Sequence, residues 1–251
     1  MLVRVAVLRW TSRKILPPPG NSFRETGTMN VEKYLPKKRS LWTYFILEPL
    51  YKPVISFFVE AGWHPNTVSF ISLAFVVASV ASFALGENYP SLFLGAIFFE
   101  LAYFFDCVDG PLARATGRLT RLGLGLEVAG DSLRNYGALF ALTYRYVLSG
   151  QYWIFVFAII FVTFYNGAMW VGYKRLIEKR DHKPERHEES LGFLGKVVQA
   201  FFDDSIPFWP LPILIELETL VFFVFPLLNL GDLGVAVGAL LSPLFLIGAL
   251  I

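Results

Sequence analysis

Four carboxylates stand in one short stretch of this chain: Asp106, Asp109, Glu127 and Asp131. Each lies at the edge of an apolar run, where ionisable side chains are costly at membrane depth and read first as a functional site. Asp106 and Asp109 are spaced i, i+3, and Glu127 and Asp131 are spaced i, i+4, so on helices each pair shares one face. Two such helices side by side aim four like charges at one region, which repels unless cations lie between them. Oxygen-only ligation suits hard ions such as Mg²⁺, Mn²⁺ or Ca²⁺. The residues between the pairs fit this chemistry. Gly110 allows close backbone approach, Ala113 is small, Arg114 has the fork to meet a phosphate, and Gly123 lets the next helix pack closely at its start. Pro111 lacks an amide donor and predicts an end to the helix carrying Asp106.

The elements that must hold these residues are apolar helices. The chain has 251 residues, 55% of them hydrophobic. A soluble domain reaches only about 45–50% even with glycine counted. The excess falls in runs that predict six spans: Asn66–Leu85, Ser91–Val108, Arg121–Leu148, Tyr152–Tyr173, Ile206–Leu228 and Leu233–Ile251. Most are close to the roughly 17–25 residues a bilayer requires. The fold class is therefore all-α, a polytopic membrane protein with six transmembrane helices. Residues 110–120 read as a basic loop, 174–190 as a charged loop and Leu191–Phe202 as a surface helix. Before the first span, Lys33, Lys37, Lys38 and Arg39 precede an aromatic run from Leu41, which predicts an N-terminal amphipathic interfacial helix on an anionic leaflet, broken into pieces by Pro49 and Pro53. The domain reading is a basic tail at 1–32, an interfacial segment at 33–64 and a six-helix catalytic domain at 65–251. No Lys or Arg lies in the turns 86–90, 149–151 or 229–232, and with Arg145 excepted the basic residues share a side with the carboxylates. That positive-inside pattern places the site at the cytoplasmic face. Cys107 is the one cysteine, so no disulfide framework forms within the chain. Glu100 reads as an interhelical hydrogen-bonding residue, Arg145 as snorkelling outward, and His64 and His182 as ordinary surface residues.

The pattern Asp106-x2-Asp109-Gly110-x2-Ala113-Arg114-x8-Gly123-x3-Glu127-x3-Asp131 resembles the signature of the CDP-alcohol phosphatidyltransferases, D-x2-D-G-x2-A-R-x8-G-x3-D-x3-D. Every gap agrees, and one residue departs, Glu127 in place of the third Asp. The stretch Pro65-Asn66-Thr67 is similar to the Pro-Asn-x-x-(Ser/Thr) opening of that family's first helix. A second register, with Asp131 and Asn135 as the last two positions, breaks the spacing from Arg114 and Gly123 and is disfavoured.

The resemblance implies a CDP-linked lipid donor such as CDP-diacylglycerol, a small alcohol acceptor and release of CMP, within phospholipid biosynthesis. It implies Asp106, Asp109, Glu127 and Asp131 as ligands of Mg²⁺ or Mn²⁺, two ions in all, with Asp131 also the catalytic base. Asp109, Gly110, Ala113, Arg114, Asn66 and Thr67 are the expected CDP-binding residues, and Arg118, Arg121, Arg134, Lys174 and Arg175 are weaker candidates for an anionic acceptor. The expected partners are lipid substrate, acceptor, bilayer and a second copy of the chain, with no nucleic acid. Two other readings are open: a cation transporter using the acidic cluster, and an inactive member acting as a membrane assembly protein, for which Glu127 is the support.

Residues 1–28 carry Arg4, Arg9, Arg13 and Lys14 before the run Pro17-Pro18-Pro19-Gly20, a poor start for a packed element. A flexible tail, a targeting peptide and an upstream start ahead of Met29 compete as readings, with a dispensable tail or upstream start favoured. Truncation to Met29 is expected to leave membrane-bound activity intact, and loss of folded, active protein in that variant would show that the tail matters.

Overall fold

The computed structural model describes the backbone of residues 30–181 and 214–250 and the side chains of 30–171 and 214–247. Among the described residues every regular element is a helix, which bears out the all-α expectation. In chain order these are a 3₁₀ turn at Val31–Tyr34, α1 (Glu48–Glu60), α2 (Pro65–Leu85), α3 (Tyr89–Thr116), α4 (Arg121–Ser132), α5 (Ala138–Leu148), α6 (Trp153–Asp181), α7 (Leu214–Thr219), α8 (Phe225–Leu227) and α9 (Gly231–Leu250). Wide π-type turns at Leu133–Gly137 and Leu220–Val224 join α4 to α5 and α7 to α8, so each pair is one uninterrupted helical rod. Among the described residues three stretches are long and apolar enough to cross a membrane: Pro65–Leu85, Tyr89–Thr116 and Trp153–Val171. Gly231–Ile247 is a shorter apolar helix. The tail at 1–28, the surface helix Leu191–Phe202 and the first part of the fifth expected span lie outside the described residues.

Local chemistry sets the helix starts. His64 caps α2, its Nδ1 accepting from the Asn66 amide at 3.2 Å, with Pro65 in the first turn where a missing amide costs nothing. Asn88 caps α3 by accepting from the Ser91 amide, and Thr120 caps α4 by accepting from the Gly123 amide at 2.9 Å.

Two proline expectations are corrected. Pro111 does not end α3, which runs on to Thr116. Its ring is buried among neighbouring helices, and packed surroundings make a helix-internal proline tolerable in a spanning segment. The helix ends instead at Gly117, in the left-handed conformation at φ 68°, where the amides of Gly117 and Arg118 both donate to the Ala113 carbonyl. The basic loop thus shrinks to 117–120. Nor do Pro49 and Pro53 break the segment ahead of α2, because residues 41–60 form one helical run. A π-type turn at Thr43–Leu47 precedes Pro49, and the widened turn accommodates its ring. Glu48, Tyr51, Ile55 and Phe58 form the buried face of α1 and pack towards α3.

The α2–α3 hairpin is the spine of the fold. Ser72 Oγ donates to the Ala102 carbonyl and Ser79 Oγ to the Gly95 carbonyl, both at 2.8 Å and both buried. Such small hydroxylated residues let helix backbones approach and satisfy polar groups away from water. The turn between these helices is clamped by Arg145, which donates to the Gly86 carbonyl, to the Asn88 carbonyl at 2.9 Å and to Ser91 Oγ at 2.8 Å. Arg145 therefore caps a neighbouring turn rather than reaching outward. One core cluster gathers Phe83, Phe99, Leu139, Phe161 and Phe222; the other gathers Tyr51, Ile55, Val68, Tyr103 and Leu112.

Gly95 faces the fully buried Phe83, and a Cβ there would lie 2.4 Å from the ring. Gly95→Ala is expected to lower stability by about 1–3 kcal/mol through overpacking. Gly125→Ala, whose Cβ meets nothing within 4 Å, should not. Thermal unfolding of the two variants in detergent reads the difference; equal melting would refute close packing at Gly95.

Candidate functional site

Asp106 and Asp109 project from α3 about two to three turns before its end, and Glu127 and Asp131 project from α4 after a short loop. Asp106 lies within electrostatic range of Asp131, Asp109 and Glu127, and Asp109 within range of Glu127 and Asp131. The fold thus brings the four carboxylates to one region. Asp109 is buried and its Oδ2 accepts from Ser69 Oγ of α2 at 2.5 Å. Asp131 is about half exposed at 48%, and Glu127 is exposed. Among the described residues no three His, Cys, Asp or Glu side chains converge on one ion-sized position. The packing agrees with this: α4 packs against α2 rather than along α3, so the two acidic pairs sit on helices that are not in close contact. The donor set of hard carboxylate oxygens fits divalent cations.

The start of α4 is pinned to the start of α2. Thr120 Oγ1 donates to Asn66 Oδ1 at 2.8 Å while accepting from the Gly123 amide. A Cβ on Gly123 would lie 3.0 Å from Asn66 Oδ1, so this contact needs a glycine or a shift of the amide. Asn66, expected beside a nucleotide, is also the brace that sets the position of α4. Thr67 is exposed and its amide bonds the His64 carbonyl.

Gly110 lies against the Arg114 guanidinium, where a Cβ would come 3.3 Å from Nη1. Arg114 Nε donates to the Tyr34 carbonyl at 2.6 Å, which anchors the arginine to the N-terminal segment. Ala113 is buried, and its carbonyl is the acceptor that closes α3. Arg118 is exposed in the 117–120 loop, with Nη1 3.4 Å from the Gly62 carbonyl, and Arg121 is exposed in the first turn of α4. Arg134 differs from the other acceptor candidates. It is buried, pairs with Asp131 and Glu218 at 3.3 Å each, and lies over the rings of Tyr103 and Phe99 at 4.6 and 5.7 Å. The side chains of Lys174 and Arg175 lie outside the described residues.

Asn135 is buried and donates to the Tyr165 hydroxyl at 3.0 Å, whereas Asp131 lies among the other acids. Glu100 accepts from Trp42 Nε1 at 2.7 Å, while its second oxygen has no hydrogen-bond partner among the described residues, so the interhelical bond expected of it accounts for half of the carboxylate. His64 serves as a helix cap rather than as a bystander.

Several residues at the site escape a reading of spacing. Ser69 occupies the Ser/Thr position of the Pro-Asn-x-x-(Ser/Thr) opening, so its signal was present in that pattern. Glu218, Tyr165 and the Tyr34 carbonyl come from distant parts of the chain and carry no local signal.

Comparison with known proteins agrees with this arrangement. Residues 63–225 match the CDP-alcohol phosphatidyltransferase family. A phosphatidylinositol phosphate synthase from Mycobacteroides abscessus is 39% identical over 90 residues, covering 36% of this chain and 39% of that protein. Another, from Streptomyces avermitilis, is 36% identical over 90 residues, covering 35% of this chain and 34% of that protein. The matched region spans less than half of the length of either relative. With three helices apolar enough to span a bilayer and most of its length matched by one family, the chain is a membrane protein that belongs to the CDP-alcohol phosphatidyltransferase family.

Proposed function

We propose that this chain transfers a phosphatidyl or other substituted-phosphate group from a CDP-linked lipid donor to a hydroxyl acceptor, releasing CMP. The observation that carries the proposal is the convergence of Asp106, Asp109, Glu127 and Asp131 from two helices into one electrostatic neighbourhood. In the step, a P–O bond forms to the acceptor oxygen while the bond from that phosphorus to the CMP oxygen breaks, and CMP leaves with the electron pair. The acceptor proton passes to a carboxylate oxygen of Asp131, whose half-exposed position leaves it open to a bound alcohol. Bound Mg²⁺ or Mn²⁺, held by the four carboxylates, would neutralise the diphosphate and the departing oxygens. Ser69 orients Asp109 by donating to Oδ2. Gly110, Ala113 and Arg114 hold the CDP portion at the end of α3, and Asn66 with Thr67 borders it from α2.

The acceptor we favour is an inositol phosphate. The name shared by the two relatives supports it, as do Arg118 and Arg121, exposed cations beside the loop that links the two acidic pairs. We further propose six spans, with residues 41–60 lying on the membrane surface and the site at the cytoplasmic face; the exposed Phe45, Ile46, Leu50 and Phe57 supply an apolar face for that surface helix. The deciding assay is CMP release by purified protein from CDP-diacylglycerol with inositol phosphate, glycerol phosphate, serine or no acceptor. Release only with inositol phosphate supports the full reading, release with another acceptor overturns the assignment of acceptor alone, and no release with any overturns the transferase.

Chelation is expected to abolish turnover, with Mn²⁺ or Mg²⁺ restoring it. Undiminished rate in excess chelator would refute metal dependence. Asp131→Asn removes the proton-accepting charge and should lower the rate by about 10²–10⁴. Glu127→Asp keeps a hard ligand at an exposed position on α4 and should retain most activity. A near-normal rate for Asp131→Asn together with inactivity of Asn135→Ala would move the last two acidic positions to Asp131 and Asn135.

A further inference from the structure

Beside Asp131 lies a buried polar network that the proposed reaction does not use. Glu218 comes from α7 and is buried. Its Oε1 accepts from the Tyr165 hydroxyl of α6, and its Oε2 lies 3.3 Å from Arg134 Nη2. The same Nη2 lies 3.3 Å from Asp131 Oδ1. Arg134 Nε makes no hydrogen bond among the described residues, so the Nη2 corner carries both ion pairs. Phe99 and Tyr103 cover the guanidinium, and Asn135 holds the Tyr165 hydroxyl from its other side at 3.0 Å. Side-chain exposure separates the two acids: 6% for Glu218 against 48% for Asp131.

This geometry sets up a competition. One guanidinium corner serves two carboxylates, and a charge-assisted pair in a low-dielectric interior is far stronger than one open to water. The buried acid therefore has the firmer claim on Arg134. We propose that Glu218 is a positioning residue: by holding and neutralising Arg134, it keeps Asp131 available to bind divalent cations. The proposal rests on the reading of Asp131 as a cation ligand. Without the Glu218 charge, Arg134 closes on Asp131 with its whole fork and occupies the oxygens a cation needs. Tyr165 takes part by fixing the Glu218 carboxylate, which links α6 and α7 to a ligand on α4. The effect has the size of other outer-shell partners of metal ligands, whose loss costs about 10–100-fold in affinity.

The test is binding of Mn²⁺ alone to purified protein in detergent, read by the electron paramagnetic resonance signal of free Mn²⁺, with thermal unfolding recorded for every variant. Glu218→Gln is expected to weaken Mn²⁺ binding about tenfold or more. Glu218→Gln combined with Arg134→Gln should bind Mn²⁺ as well as the unaltered protein or better, because the competitor for Asp131 is gone. A purely structural role for Glu218 predicts the opposite, a double variant no better than the single one. Tyr165→Phe, which removes one hydroxyl, should weaken binding in the same direction and keeps the test open if Glu218→Gln does not fold. Normal Mn²⁺ binding by folded Glu218→Gln, or by Tyr165→Phe where the former fails to fold, overturns the proposal, as does a double variant that stays weak. Asp131→Asn separates the underlying reading: unchanged Mn²⁺ binding there removes Asp131 from the ligands, whereas weakened binding there with none in Glu218→Gln leaves the ligand reading intact and rejects Glu218 alone.

Discussion

Like charges on neighbouring helices repel, and the cost grows as water is excluded. Around Asp106, Asp109, Glu127 and Asp131 the structure contends with that repulsion by several means. It spreads the acids over two helices that do not pack along each other. It gives Asp109 a hydroxyl donor from α2 and places the buried Arg134 beside Asp131. It leaves Glu127 in an exposed position on α4. The N-terminal segment, the α2–α3 hairpin and the rod from 121 to 148 all serve this arrangement, since Asn66, Ser69, Tyr34 and Thr120 each fix an element that bears a functional residue.

Glu218 adds a second layer to that electrostatic design. An arginine set between two acids of unequal burial is held more firmly by the buried one. The aromatic faces of Phe99 and Tyr103 hold its plane, and the acid from α7 sets how much of its charge reaches the surface. The acidic region is therefore coupled to α6 and α7, although neither helix supplies one of the four converging carboxylates.

Sequence spacing carried the acidic region well because its information is local. The i, i+3 and i, i+4 intervals place each pair on a face whatever the rest of the chain does, and the short loop keeps the two pairs in one region although their helices do not pack along each other. The ends of two runs were legible for the same reason, since α2 and the rod from 121 to 148 begin and end within a residue of the expected positions, whereas α3 runs past Val108 to Thr116 and α6 past Tyr173 to Asp181, into the expected loops. The prolines were misread because their cost depends on surroundings. Pro111 is buried inside a helix, and Pro49 follows a turn already widened. Neither burial nor a π-type turn has a local sequence mark. Arg145, expected to reach outward, caps a turn about sixty residues away in sequence (|i−j| of 59 and 57), and Glu218 acts across a separation of 84. Partners at such distances are chosen by the bundle, and periodicity along one helix contains no information about them.

The helix that bears Glu127 and Asp131 has no buried residue along its whole length, whereas α5, its continuation beyond the π-type turn, buries Ala138, Leu139, Ala141, Leu142 and Thr143. With so little apolar contact, the free energy holding α4 in place is small beside that of the spine, so it lies at the low end of the range over which parts of a protein open separately. The Thr120–Asn66 brace secures its first turn, and the join to α5 secures its last. Between those two anchors no side chain of the segment is buried. Any ligand that bridges its acids to those of α3 then contributes to folding as well as to binding, because ordering α4 and filling the space beside it become the same event.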